Sequence, residues 1–199
     1  MSSLGQVLDR AFGHPRGALG RLGGVVMARG NAATERHVVE IAKLTAEETV
    51  LVVGPGPGVG LAEAAARAHR VIGVDPSHEM LELCARRCAD AVEAGTVVLR
   101  HATAARTGVD PASVDVVLSV NNVQLWEDRP AAFAELHRVL RPGGRMVLSV
   151  HQKWLPVTRH DLVAEVEAAG FTDTQTWTWQ PPGPLAARAA QLRTYRPHR

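Results

Sequence analysis

Between Thr49 and Trp179 two hydrophobic patterns take turns along the chain. Thr49–Val53, Arg70–Val74, Thr96–Arg100, Val114–Val120 and Arg145–Val150 are short runs rich in Val, Ile and Leu, the mark of strands buried on both faces. The stretches between them carry apolar residues at helical spacing. Helices are predicted over Val59–Ala68, from a Ser77 cap to Val92, over Pro130–Leu140, and from Thr158 or His160 to Ala169. Phe171–Thr178 reads as a sixth strand. The segment Ala186–Tyr195 reads either as an Ala- and Arg-rich helix or as a last edge strand. Strands alternating with helices predict an α/β, doubly wound, mostly parallel sheet covered on both faces.

The head of the chain is different. Residues 1–30 are rich in Gly and Arg, and Pro15 separates two short apolar stretches of helical spacing. Thr34 is placed to cap a further helix reaching Leu44, with Glu35 in its first turn. The expected organisation is one domain over 1–199, with an N-terminal helical cap over 1–45 and the sheet-bearing core over 46–199.

Composition narrows the class. A chain of 199 residues with 46% hydrophobic and 21% charged residues supports one well-filled core. The net charge is +2 and the basic residues are scattered, which disfavours a nucleic-acid partner. No apolar run reaches the roughly 20 residues of a membrane span, and the N-terminus lacks the apolar core of a signal peptide. We therefore expect a cytoplasmic protein with a small-molecule partner, no nucleic acid and no membrane, as monomer or homodimer. Cys84 and Cys88 lie four apart on a predicted helix, with Cβ atoms about 5–6 Å apart, too far for a relaxed disulfide. They read as two reduced thiols on a packed face, and no metal site is expected.

The chemistry centres on the loop after the first strand, Gly54-Pro55-Gly56-Pro57-Gly58-Val59-Gly60. Its glycines let a ligand approach the backbone. Val59, Leu61 and Glu63 break the dinucleotide fingerprint, and no Gly-Lys-Ser/Thr follows. The two prolines remove amides that a phosphate cradle needs, so the loop points to a ligand without phosphate. The second strand ends at Asp75, where a carboxylate can accept hydrogen bonds from two ribose hydroxyls. Loop and acid together predict a nucleoside ligand.

Four segments in order resemble the class I S-adenosylmethionine-dependent methyltransferases, of the type-11, small-molecule kind. They are Val50–Gly58, Val71–Leu81, Val114–Asn121 and Leu140–Leu148. The resemblance implies a mostly parallel seven-stranded sheet and S-adenosyl-L-methionine as cofactor. It implies methyl transfer to a small organic acceptor by in-line displacement. The alternative is a catalytically degenerate relative acting as a ligand-binding or scaffold module. The expected cofactor-binding residues are Gly54, Gly56, Gly58, Asp75, Pro76, Met80, Thr103 and Asn121, with Met80 against adenine. Asn122 and His151, after the fourth and fifth strands, are the candidates for orienting the acceptor and for a base. Trp126 and Trp154 either line an acceptor pocket or pack a helix. Arg21, Met27, Asn31 and His37 are candidates to close over the site. Two positions depart from the family. An acid two residues before the first glycine is replaced by Val52, and an acid after the third strand by Thr103 or Ala102.

Overall fold

The structure is a computed structural model, and it describes residues 31–182 and 187–198. The two short helices expected before residue 31 lie outside the described residues, as do Arg21 and Met27.

Seven strands form one sheet: β1 (Thr49–Val53), β2 (Arg70–Asp75), β3 (Val97–His101), β4 (Val114–Val120), β5 (Leu140–His151), β6 (Thr172–Trp179) and β7 (Ala189–Tyr195). Their spatial order is β3-β2-β1-β4-β5-β7-β6. The first five run parallel, and β7 is antiparallel to both β5 and β6. The order reverses at β1, so β1 and β4 open the crevice where such sheets take ligands.

Helices cover both faces, and the alternation within β1 assigns them. Val50 and Val52 face one way, into a core shared with Val38, Val39 and Ala42 of α1 (residues 31–42), Leu61 and Ala64 of α2 (Val59–Ala65) and Cys84 of α3 (His78–Arg87). Leu51 and Val53 face the other way, onto Phe133 and Leu136 of α5 (Arg129–Val139) and Leu162 and Val166 of α6 (Arg159–Ala168). A short helix, α4 (Ala89–Glu93), follows α3.

Capping explains most helix starts. The Ser77 hydroxyl accepts the Met80 amide, the Asp128 carboxylate accepts the Ala131 amide, and Thr158 and Asp161 form a reciprocal capping box. Arg145 sutures α1 to the sheet. Its guanidinium donates to the carbonyls of Ala42 and Lys43 and pairs with Glu48 at 2.7 Å.

Four expectations are corrected. Thr34 is no cap; it lies inside α1 and is fully buried. The helix after Ser77 breaks at Cys88, giving α3 and α4. The tail is a strand and not a helix, and it is no edge, since β7 lies between β5 and β6 and leaves β6 at the border. Finally, β5 begins at Leu140, ahead of the start expected at Arg145. Cys84 and Cys88 are both buried and free.

Candidate active site

The carboxyl ends of β1 to β4 surround a cavity of about 240 Å³. Each strand hands over to the cavity at its last residue or the next: Val53-Gly54, Asp75-Pro76, the loop from Ala102 to Ala105, and Val120-Asn121-Asn122. Asn31 and Glu35 of α1 close one side, and Leu125 to Asp128 and Ala132 close another.

The glycine loop shows why each glycine stands where it does. Gly54, Gly56 and Gly58 all have positive φ, at 64°, 52° and 85°. A Cβ on Gly54 would collide with the Asn122 side-chain nitrogen, so the loop and the residue after β4 are in direct apposition. A Cβ on Gly56 would meet nothing within 4 Å, and Gly56 lines the cavity. Gly58 is different. Its Cβ would stand 3.1 Å from the Cys84 sulfur, and it does not line the cavity. The loop is held from α3, where the Cys84 thiol donates to the Gly56 carbonyl at 3.0 Å and Arg87 donates to the Pro57 carbonyl at 2.8 Å. Burial pushes the Cys84 thiol well above its usual range, which keeps it protonated as that donor.

Asp75 is buried at the end of β2, and one of its carboxylate oxygens accepts the Ser77 amide at 2.9 Å. Pro76 and Met80 flank it on the cavity wall. The His101 ring meets the Pro76 carbonyl at 2.8 Å and stacks on His78 at 3.8 Å, fastening this turn to β3. Thr103 is exposed on the rim of the same end.

At the end of β4, Asn121 sits in the left-handed region with φ 51°. Its side-chain oxygen accepts the backbone amide of His151 at 2.9 Å, and its side-chain nitrogen donates to Asn31 at 3.0 Å. One amide thus ties β4, β5 and α1 together. Asn122 accepts the indole N–H of Trp126 at 2.6 Å, and Trp126 packs edge-on against Phe133 at 5.4 Å. Trp126 therefore both lines the cavity and packs a helix.

His151 is buried and does not line the cavity. Its ring packs edge-on to Trp154 at 4.6 Å, and its Nδ1 has no partner among the described residues. Burial, aided by Lys153, lowers its pKa, so the ring is neutral at pH 7. Trp154 is exposed and stands apart from the cavity, and His37 stacks on Trp179 at 4.1 Å.

Of the expected residues, the structure brings Gly54, Gly56, Asp75, Pro76, Met80, Thr103, Asn121 and Asn122 to one cavity, and it sets Gly58 and His151 behind its wall. Among the lining residues not expected there is a buried acid. Glu35 is buried, and its Oε2 accepts the Gly60 amide at 2.6 Å. Burial pushes its pKa up to about 7. In the sequence it reads only as a first-turn acid, and no local signal marks it.

Comparison with known proteins places this arrangement in a class. Residues 51–148 match the methyltransferase domain family model, a span that covers β1 to most of β5 and all but α1 of the cavity. Over that span the chain is similar to methyltransferases. It is 27% identical over 161 residues to the uncharacterised methyltransferase YdaC of Bacillus subtilis, covering 76% of this chain and 87% of YdaC. An O-methyltransferase of Pyrenophora dematioidea is 30% identical over 122 residues, which is 59% of this chain and 45% of that protein. Other curated relatives, too, match over less than half of their own length. Among solved structures, phosphoethanolamine N-methyltransferase 2 of Haemonchus contortus shares the fold. Its TM-score is 0.77 at 15% identity, over 99% of this chain and 61% of that one, and that structure holds phosphomonomethylethanolamine and S-adenosylhomocysteine.

The cavity fits such a nucleoside ligand on its own terms. Gly56 presents bare backbone where a Cβ would fill open space, a buried carboxylate stands at the end of β2, and the wall between them is largely apolar. Among the described residues, no group of His, Cys, Asp and Glu is arranged to hold a metal ion. No helix among them is long and apolar enough to cross a membrane.

Proposed function

We propose that this protein transfers a methyl group from S-adenosylmethionine to a small organic acceptor, with both bound in the cavity at the carboxyl edge of the sheet. The observation that carries the reading is the convergence of Gly54, Gly56, Asp75, Met80, Asn122 and Trp126 on that one cavity. In this reading Gly54 and Gly56 lay the cofactor against bare backbone. Asp75 accepts the ribose hydroxyls, Pro76 and Met80 flank the adenine, and Thr103 meets its edge. Gly58 acts from behind, by letting the loop close on Cys84. Asn121 keeps its wall in register through Asn31 and the His151 amide.

When bound, the cofactor supplies an electrophilic methyl on a sulfonium. The chain contributes placement. In this reading Asn122, held by the Trp126 indole and packed on Gly54, orients the acceptor. Leu125, Trp126 and Ala132 line the acceptor side with apolar surface, beside Glu127 and Asp128. His151 is a positioning residue here, since its backbone amide orders Asn121 while its neutral ring stays packed on Trp154.

Calorimetry with S-adenosylmethionine and S-adenosylhomocysteine tests the binding half of the proposal. We expect Kd values in the micromolar range, about −8 kcal/mol. Transfer of a labelled methyl to a panel of small O-, N- and S-nucleophiles tests the other half. Binding without transfer to any of them would favour a ligand-binding module in place of an enzyme. Failure to bind either compound would overturn the reading.

A further inference from the structure

The family's acid before the first glycine is replaced here by Val52, and the place beside Val52 is filled from elsewhere in the chain. Val52 shares a small recess beneath the glycine loop with Glu35, Gly54, Gly60 and Ser119. Glu35 also lines the main cavity next to Asn31, Gly54 and Gly56. Its carboxylate thus lies between α1 and the glycine loop, with one oxygen on the Gly60 amide. Gly60 is packed closely on that side chain, since a Cβ there would lie 3.3 Å from Glu35 Cβ and Oε2.

We propose that Glu35 of α1 holds the α-ammonium of S-adenosylmethionine, supplying from the head of the chain the negative charge that β1 lacks. The inference rests on the reading of the cavity given above.

Two observations separate this from a plain helix cap. The first is charge. A buried carboxylate is costly without a cation beside it, and among the described residues Glu35 has no ion-pair partner. The charges of Arg87 and Arg36 act on Glu35 without outweighing its burial, and neither makes an ion pair with it: Arg36 pairs with Glu63, and Arg87 donates to the Pro57 carbonyl. A neutral amide would also accept the Gly60 amide and would carry no such cost, so this hydrogen bond does not by itself call for an acid. The second is access. Glu35 borders the cavity itself, together with the bare backbone of Gly54 and Gly56 and with Asp75. A nucleoside whose ribose is on Asp75 leaves its amino-acid arm to run toward Glu35. The raised affinity of Glu35 for a proton is what an acid awaiting a counter-ion shows.

The test is a calorimetric comparison of the full chain and Glu35→Gln with two ligands. One is S-adenosylhomocysteine. The other is its deamino analogue, which keeps the adenosine, thioether and carboxylate and lacks only the ammonium. Gln keeps an acceptor for the Gly60 amide and removes the charge. We expect Glu35→Gln to lose roughly tenfold or more in affinity for S-adenosylhomocysteine, as for a hydrogen bond between charged groups, and less than twofold for the deamino analogue. Glu35→Asp, which retains the charge one methylene further back, falls between the two. Equal losses for both ligands, or no loss for either, would overturn the role of Glu35. Wild-type protein that binds neither ligand would overturn the reading of the cavity itself, a separate result. Unchanged binding of the deamino analogue by Glu35→Gln also reports that the variant is folded.

Discussion

The two ends of the cavity are assembled by different means. At the Asp75 end the wall comes from residues that directly follow β2 and β3: Asp75, Pro76, Met80 and the loop from Ala102 to Ala105. Their positions follow from sheet order and helix capping, both local matters. At the Glu35 end the wall is made of contacts far apart in sequence. Asn31 meets Asn121, Glu35 meets Gly60, and Asn122 lies over Gly54. The first end depends on the sheet and survives any change that leaves the strands in register. The second exists only while α1 is docked on the glycine loop. The ligand's ends thus answer to separate structural controls, and substitutions at each should separate them.

The largest effect is expected at the junction. Gly56→Val should abolish cofactor binding, because the branched side chain fills the open space between the two ends. The left-handed backbone at Gly56 adds a stability cost of about 1–2 kcal/mol, so thermal denaturation should still show a folded protein. Unchanged affinity in a folded variant would remove the glycine loop from the site.

Next comes the stability of the free protein at the Glu35 end. The Glu35 carboxyl is raised to about 7 by burial, above its ordinary value of 4.5. Below pH 4.5 it is protonated in both folded and unfolded chains and carries no penalty. Between 4.5 and 7 the unfolded chain ionises while the folded one holds its proton, so stability is lost as pH rises, and above 7 the loss is complete. Glu35→Gln has no such titration. Its stability advantage should therefore grow across this window to roughly 2–3 kcal/mol at pH 8. Denaturant melts of the free proteins at pH 4.5 and 8 measure this, and a pH-independent difference would contradict the burial of an uncompensated charge.

At the other end, Asp75→Ala should weaken S-adenosylhomocysteine by about 1.5–3 kcal/mol. The loss should not add to that of a 2′,3′-dideoxy ligand, since both delete one contact. Combined with Glu35→Gln, by contrast, it should add, because the two acids meet different parts of the ligand. Simple addition with the dideoxy ligand would dismiss Asp75 as the ribose partner.

The smallest effect is expected at Thr103. This residue is exposed on the rim, so Thr103→Asp should change stability by less than about 0.5 kcal/mol. It should tighten S-adenosylhomocysteine modestly and leave a ligand lacking the adenine 6-amino group unaffected. A gain for both alike would mean a general charge effect.

What was legible in the sequence follows the same division. Strands β1 to β5 and the turn at Asp75 announce themselves through Val-rich runs and a Ser77 cap, which act over a few residues. The tail did not, because Ala189–Tyr195 owes its strand to pairing with β5 and β6 on both sides, against its helical composition. The break at Cys88 has no Gly or Pro to signal it. Thr34 has the chemistry of a cap, but docking of α1 on the sheet takes it into the core. Glu35 was hidden for the same reason. Only tertiary packing turns a first-turn acid into a buried wall of the cavity. The sequence did mark the vacancy, at Val52, and the structure shows what stands beside it.

The most direct test is a crystal structure of the protein with S-adenosylhomocysteine bound. The account predicts the ribose hydroxyls on the Asp75 carboxylate and the ammonium within hydrogen-bonding distance of Glu35, in one cavity. Ligand density lying away from Asp75, or an ammonium turned from Glu35 toward another partner, would contradict it.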